Sequence, residues 1–375
     1  QLFLIYLVSK RNKEMNNHPK SVIKIGDRRI SLKDPVYFIA EIGSNFDGDL
    51  NRAKDLIHLA KEAGADAVKF QHYTAGSLVS DEGFNSIGDQ KSHQASWKKS
   101  VFETYDDASL NRNWTGILKS TCDDVGVEFF TSPYSFELVD YVEKYVPAYK
   151  VGSGDITWTE IIEHIAKKKK PMLIACGASD DKDVIRAIDS ALKLNQEVVL
   201  LQCNTNYTVA RDNFFHIQLN VLDHYKSLYP EMIIGLSDHT PGHVSVLGAV
   251  AKGARVIEKH FTDSTDRPGP DHVFAMNPES WREMVERTRE LEMCLGDGVK
   301  RIEDNELETV ILQRRCVRFA HDLKAGSIIT KNDLIMLRPC PEDGIPPFDA
   351  EKLMGKEIKI NVSKGSHITW KDIKF

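Results

Sequence analysis

The chain has 375 residues, 41% apolar and 28% charged, the balance of an ordinary globular protein with enough apolar side chains for a sizeable core. Its length exceeds that of one usual domain and predicts a large domain accompanied by a smaller one. A net charge of −6 argues against a nucleic-acid-binding surface, yet a few lysines in one pocket could still attract an anion.

Residues 1–8 (QLFLIYLV) are apolar but far too few to span a membrane, and they lack the flanking basic and small residues of a signal peptide. Residues 9–20 are polar, and residues 1–36 together are read as an N-terminal lead-in. From residue 37, strand-sized runs alternate with segments of helical period: YFIAEIG (37–43), AVKFQ (67–71), VEFFTSP (127–133), AYKVGS (148–153), PMLIAC (171–176), EVVLLQC (197–203), MIIGLSD (232–238) and RVIEKHF (255–261). Helical stretches include 51–63, 158–167, 183–194 and 243–252, with a last one at 278–295. Eight β-then-α units in series predict a (β/α)8 TIM barrel over residues 37–296. An open doubly wound sheet would more often use fewer strands and carry a glycine-rich dinucleotide turn, which this chain does not have.

Between the second run and its helix lies a long insertion, about 72–107, containing His93 and Trp97. Loops of that length are typically functional or disordered, so the expectation is a cover over the barrel mouth. Residues 297–313 are charged and unpatterned and read as a linker. Residues 314–375, with CVRFA, LIMLR and EIKI separated by Gly and Pro, read as a small, mostly β domain. The run KKKK at 167–170 reads as a solvated helix end. Six widely spaced cysteines without a CxxC pair suggest reduced thiols in a cytoplasmic protein.

The informative feature is that several strands finish in charged residues. Catalytic groups of a β/α barrel sit at the carboxyl ends of its strands. By the period of two, Val256, Glu258 and His260 share a face, as do Gly235, Ser237 and His239, and Lys69 and Gln71. Glu41 alternates with Ile39 and Gly43, and Lys150 runs into Gly152, Ser153 and Gly154. One such residue is commonly a solvated boundary. Two lysines, two glutamates and two histidines over one mouth require compensation, because unpaired buried charge is costly. A bound anion and a metal would supply it, with the two imidazoles as half a site for a divalent ion such as Mn²⁺. The turn KVGSGD (150–155) lets backbone and Ser153 approach a phosphate or carboxylate beside Lys150. Asp238 is expected to orient a neighbour or bind substrate hydroxyls. The rigid loop RPGPDH (267–272) is a typical place for substrate contacts.

These residues stand in segments that resemble the sialic acid synthase family: FIAEIGSNFDGDLNRAKDLIHLAKEAGADAVKFQ (38–71), FFTSP (129–133), YKVGSGDIT (149–157), IGLSDHTPG (234–242), GARVIEKHFT (253–262) and RPGPDH. KAGSIITKNDL (324–334), LRP (337–339) and LMGKEIKINVSKGSHIT (353–369) resemble the antifreeze-like (SAF) domain that ends these synthases. The resemblance implies condensation of phosphoenolpyruvate with an N-acylmannosamine-type sugar and water, giving a nine-carbon 2-keto sugar acid and phosphate. It implies His239 and His260 as ligands of a Mn²⁺ or Mg²⁺ ion that polarises the sugar aldehyde. Lys69, Lys150, Ser153 and Ser237 would hold phosphoenolpyruvate, while Glu41, Lys69 and Glu258 would serve the chemistry. Tyr207 and Asp271 would contact the sugar. Arg338 would reach the active site of the other subunit, since family members are domain-swapped homodimers. No nucleic acid or membrane partner is implied.

Two segments depart from the family pattern. Ala175-Cys176-Gly177 replaces Ser-Thr-Gly and removes a hydroxyl expected near the phosphate. Residues 203–208 read Cys-Asn-Thr-Asn-Tyr-Thr, keeping Tyr207 but losing a proline. A different acceptor, such as a 2,4-diacetamido-2,4,6-trideoxyhexose leading to legionaminic or pseudaminic acid, is the alternative of the same chemistry. A catalytically silent sugar-binding homologue is the alternative from another class.

Overall fold

The computed structural model describes residues 18–87, 94 and 97–374. The first seventeen residues, including the apolar opening, and His93 of the insertion lie outside them. The chain divides into two compact units, Gln1–Gly296 and Asp297–Phe375.

In the first unit, strands β3 (Tyr37–Glu41), β4 (Ala67–His72), β5 (Glu128–Pro133), β6 (Tyr149–Val151), β7 (Met172–Ala175), β8 (Val198–Cys203), β9 (Ile233–Asp238) and β10 (Val256–His260) form one parallel sheet. Its hydrogen-bonded order is β5-β4-β3-β10-β9-β8-β7-β6. β5 and β6 then lie side by side, which brings the two edges together into the expected barrel. Helices α1 (Leu50–Glu62), then α2 (Ala75–Leu78), α3 (Asp81–Ile87) and α4 (Val101–Ala108) in the long loop after β4, precede α5 (Thr115–Val125). α6 (Phe136–Val142), α7 (Thr159–Lys167), α8 (Asp181–Leu192), α9 (Val221–Leu228), α10 (Val244–Ala251) and α11 (Pro278–Leu295) follow the remaining strands.

The helices form where capping and apolar spacing agree. Asp49 accepts hydrogen bonds from the amides of Asn51 and Arg52 to start α1, whose Ala53, Leu56, Ile57 and Ala60 face the sheet. Asp180 caps α8 in the same way, burying Val184, Ala187, Ile188 and Ala191. Gly126 ends α5 in the left-handed conformation.

Inside the barrel, the inward-facing series of most strands pass from apolar to polar along the strand. Ile39 leads to Glu41, Ala67 to Lys69, Phe130 to Ser132, Ala148 to Lys150, Leu201 to Cys203 and Val256 to Glu258 and His260. The lower half is therefore a packed core and the upper half a site. Below it sits an element that the sequence reading left within the lead-in, an antiparallel hairpin of β1 (Val22–Ile25) and β2 (Arg28–Ser31) turning at Gly26-Asp27. Its Ile23, Ile25 and Ile30 join Tyr37, Ile39, Phe130, Leu173, Val199, Ile233 and Val256 in one buried cluster that plugs the barrel at the amino-terminal ends of its strands.

The second unit carries α12 (Leu307–Gln313), within the segment read as linker, and the short antiparallel pairs β11 (Cys316–Phe319) with β12 (Leu334–Leu337) and β13 (Glu357–Ile358) with β14 (Ile373–Lys374). Val317, Phe319, Ile329, Ile345, Leu353, Ile358, Ile368 and Ile373 form its separate core. No helix among the described residues is long and apolar enough to cross a membrane.

Candidate active site

A cavity of about 410 Å³ opens at the carboxyl ends of the barrel strands. Register explains which side chains meet there. Glu41 lies beside His260 on one side and Lys69 on the other, and Glu258 lies beside Ser237, which lies beside Cys203. Glu41, Lys69, Lys150, Ser153, Tyr207, Ser237, His239, Glu258, His260 and Asp271 all line this cavity. Arg338 is exposed and follows β12 in the second unit.

Two buried ion pairs form the floor. The Lys69 ammonium contacts the Glu41 carboxylate and donates to Ser132 Oγ at 3.2 Å, while Gln71 Nε2 donates to Glu41 at 3.4 Å. Lys150 Nζ stands 3.2 Å from Glu258 Oε1, which also accepts from Ser237 Oγ at 3.2 Å. Burial pulls the Lys69 ammonium down to about 7, and the charge of Lys150 adds to that pull. Burial opposes charge on Glu258 as well, but Lys150 and then Lys69 hold its carboxyl at about 2. The second oxygen of Glu258 is buried without a hydrogen-bond partner.

The two imidazoles are 5.5 Å apart between ring centroids. His239 Nδ1 lies 3.0 Å from the carbonyl oxygen of Asn204, which can only accept, so Nδ1 carries a proton and Nε2 is the nitrogen left to face a ligand. His260 Nδ1 is buried without a hydrogen-bond partner and is 3.9 Å from Asp271 Oδ2. Burial, then the charge of His239, hold His260 well below the usual range, so it is neutral. Burial lowers His239, but Cys203 and then the Asn204 carbonyl outweigh it and raise the imidazole above its ordinary range, so a divalent ion would take the Nε2 lone pair in competition with a proton. Among the described residues no three His, Cys, Asp or Glu side chains converge as a ready cage. The residues thus fit an ion that takes most of its shell from water and substrate.

Asp271 is fixed by Ser44, whose hydroxyl and amide donate to Oδ2 at 2.9 and 3.3 Å. Gly43 makes this approach possible. Its φ is +53°, and a Cβ there would sit 2.8 Å from Asp271 Oδ2. The loop that carries Asp271 is anchored by Asp263, which receives Arg52 at 2.6 and 2.8 Å and Arg267 at 2.9 Å. His272, fully buried, spans Thr262 Oγ1 at 2.7 Å and Asp47 Oδ1 at 2.9 Å, so Asp271 alone of that polar run faces the cavity with Pro270.

Two expectations change. Asp238 points away from the cavity, 2.5 Å from Lys259 Nζ, with both side chains buried between barrel and helices. It is a packing element, since it also accepts from Ser245 Oγ at 2.5 Å and Thr240 Oγ1 at 2.9 Å. Cys176 likewise turns outward, 3.1 Å from Tyr225 Oη, and Ala175 joins the interior cluster. The hydroxyl absent from that strand is matched by one the sequence reading did not single out. Thr205 Oγ1 occupies the space a Cβ on Gly177 would need, at 1.8 Å, and Gly177 N donates to Ser153 Oγ at 3.0 Å. From the insertion, Leu78, Trp97, Thr104, Tyr105 and Ala108 line the cavity, so its described part does bound the mouth. Ser44, Ser132 and Asp155 also line it. The alternation Phe130–Ser132 was the available signal for Ser132, and the last residue of KVGSGD was that for Asp155.

A parallel β/α barrel with a polar, lysine-bearing cavity at its carboxyl end is the architecture of a small-molecule enzyme. Residues 56–300 match the NeuB family and residues 314–374 the SAF domain, and the chain belongs to the NeuB family. It is 34% identical over 344 residues to the N,N'-diacetyllegionaminic acid synthase of Legionella pneumophila, covering 90% of this chain and 94% of that one. It is 30% identical to human N-acetylneuraminate-9-phosphate synthase, covering 91% and 93%. Among solved structures it resembles the N-acetylneuraminic acid (sialic acid) synthetase of Leptospira borgpetersenii, with a TM-score of 0.67, 27% identity and coverage of 78% of this chain and 96% of that one.

Proposed function

We propose that this protein condenses phosphoenolpyruvate with the open-chain aldehyde of an N-acylmannosamine-type sugar and water, releasing phosphate and a nine-carbon 2-keto sugar acid. The observation that carries the reading is the floor of the cavity, where two buried lysine–carboxylate pairs adjoin two imidazoles. Lysines desolvated to this degree are poised for an anion. Phosphoenolpyruvate brings a carboxylate and a phosphate, and Lys69, Lys150, Ser153 and Ser237 offer two charges and two hydroxyls to receive them.

C3 of the enol attacks the aldehyde carbon, whose oxygen takes up a proton, and C2 becomes cationic. Glu41 and Glu258, both lining the cavity, would stabilise that positive charge. The water that adds to C2 loses a proton, and Glu41, sharing a contact with Lys69, is the group placed to take it. Collapse of the resulting tetrahedral carbon expels phosphate toward the lysines. His239 and His260 would hold a Mn²⁺ or Mg²⁺ ion, which would supply Lewis acidity toward the acceptor's carbonyl oxygen. Tyr207, 4.5 Å from the His239 ring, and Asp271 flank the space left for the sugar. In this reading the protein is a cytoplasmic, domain-swapped homodimer in which Arg338 enters the partner's cavity.

A silent sugar-binding module would have no use for two buried ion pairs beneath its ligand. The test is release of phosphate from phosphoenolpyruvate across a panel of N-acyl mannosamines and 2,4-diacetamido-2,4,6-trideoxyhexoses, with Mn²⁺ and with a chelator control. Absence of release with every acceptor would defeat the enzyme reading. Undiminished release after complete chelation would defeat the metal.

A further inference from the structure

The second unit holds a pair of thiols beside Arg338, the residue that the condensation proposed above sends into the partner's cavity. Cys316 opens β11 and is buried, while Cys340 follows the end of β12 and is half-buried. Pairing of Cys316 with Leu337 sets both cysteines at the same end of this ribbon, and their side chains share a hydrogen bond. The turn after Cys340 closes over them. Cys340 Sγ reaches the carbonyl oxygens of Pro341 and Gly344 at 3.6 and 3.9 Å, and a Cβ on Gly344 would sit 3.4 Å from Cys316 Sγ. Cys176 and Cys203 are also neighbours, but they lie on opposite faces of the barrel sheet, the first against Tyr225 and the second lining the cavity. No bond can join those two while their strands stay paired.

Arg338 is tied to the Cys316 thiol through the carbonyl that follows it. Pro339 O accepts from Cys316 Sγ at 3.2 Å and from Arg318 Nη2 at 2.5 Å. On the other side, Cys340 N donates to Ile311 O of α12 at 2.8 Å. With both thiols reduced, the segment after Arg338 is therefore pinned at two consecutive residues. A disulfide removes the Cys316 donor outright. It also draws the Cys340 sulfur to about 2 Å from that of Cys316, against the pull of the Ile311 hydrogen bond.

We propose that Cys316 and Cys340 form a reversible redox site whose disulfide displaces Arg338 and lowers affinity for the acceptor sugar. Its effect on the acceptor rests on the condensation proposed above; the bridge itself does not. The oxidant is hydrogen peroxide, barely larger than water. The half-buried Cys340 sulfur attacks the O–O bond, an S–O bond forms, and one water leaves with the thiol proton. Burial, ahead of the opposing charge of Arg318, raises the Cys316 thiol, so Cys316 is the slower, resolving partner. Its sulfur then attacks the sulfenic sulfur, the S–S bond forms as the S–O bond breaks, and the second water leaves. Two thiols and one peroxide give one disulfide and two waters, and exchange with a small dithiol reverses the change.

The test treats the full chain with hydrogen peroxide in the presence of a chelator, removes the peroxide with catalase and maps the peptides before Mn²⁺ is restored. The expected product is a Cys316–Cys340 bridge that dithiothreitol abolishes, with amide exchange across residues 336–343 quickened about tenfold. Oxidation should raise the acceptor KM about tenfold, leave that of phosphoenolpyruvate within twofold, and be undone by dithiothreitol. C316S keeps a hydroxyl to donate to Pro339, and C340S alters a half-buried position. Neither variant should bridge or change its acceptor KM on oxidation, and both control for oxidation of Cys203 in the cavity. Absence of the bridge in the wild type overturns the proposal. A bridged protein in which either the exchange or the acceptor KM is unchanged overturns it as well. If the reduced protein turns over no acceptor, the condensation and the acceptor arm fall together, while bridge and exchange still decide the redox site.

Discussion

Replacing Lys259 by Met removes the cation from a pair whose side chains are 1% and 0% exposed. The Asp238 carboxylate would keep Ser245 and Thr240 as donors but lose the ammonium at 2.5 Å, and the Thr240 carbonyl would lose its own donor at 2.6 Å. Removing one partner of a buried pair costs about 3–5 kcal/mol, and the surviving donors place this case near the lower end. K259M should therefore be about 3 kcal/mol less stable in urea denaturation followed by circular dichroism. D238N/K259M, neutral throughout, should recover about 2 kcal/mol of that loss. The pH dependence has a definite sign. In the wild type Lys259 outweighs burial and holds the Asp238 carboxyl below its usual range, so its contribution is present above the unfolded value and is lost as pH falls. In K259M only the Ser245 and Thr240 donors still oppose burial and the carboxyl rises, so the deficit should shrink as pH falls toward 4. A deficit below about 1 kcal/mol, or one that does not change with pH, would refute the reasoning. An acceptor KM raised tenfold in D238N/K259M would restore Asp238 to the sugar site.

H239A and H260A should each lose Mn²⁺ binding by titration calorimetry and metal-dependent turnover, with an unchanged far-ultraviolet spectrum; retained binding would remove the residue from the metal site. R338A should raise the acceptor KM about tenfold, the worth of one charge-assisted hydrogen bond, and leave that of phosphoenolpyruvate alone. Unchanged turnover after truncation at residue 310 would end the proposed role of the second unit. His72, clasped between Thr131 Oγ1 at 2.6 Å and Thr115 Oγ1 at 2.8 Å, is held by burial at about 4. Its neutral form is favoured by folding, so stability should be full above about pH 6.5 and fall by roughly 3 kcal/mol toward pH 4. An acid limb equally steep in H72Q would assign that loss to other groups.

The barrel was legible because each strand is a continuous branched or aromatic run and each helix repeats with a different period. The site was legible for a related reason. Glu41, Lys69, Lys150, Glu258 and His260 interrupt apolar runs at their ends, where nothing but a site explains them. What stayed hidden depends on register and on contacts distant in sequence. Parity already sets Asp238 opposite to Ser237, but only the pairing of β9 with β10 brings it against Lys259. Ser44 and Asp271 meet across 227 positions, and Thr205 reaches Gly177 from the next strand's loop. VIKI and RRIS around Gly26-Asp27 carry a hairpin pattern, but eight residues with so little surface of their own gave no hint that a barrel would bury them.

That hairpin has a consequence for traffic. With Ile23, Ile25 and Ile30 stopping the lower end, the described residues leave the vessel its door at the mouth, bounded by Trp97 and Tyr105. Lys69 and Lys150 lie at its innermost point, 3% exposed each. On the proposed reaction, phosphoenolpyruvate must enter before the sugar that would stand in its way, and phosphate must wait until the sugar acid has gone. Last in is first out. An acceptor analogue should then inhibit uncompetitively against phosphoenolpyruvate, and inorganic phosphate competitively, so a plug at the far end of the barrel sets the order of addition at the mouth.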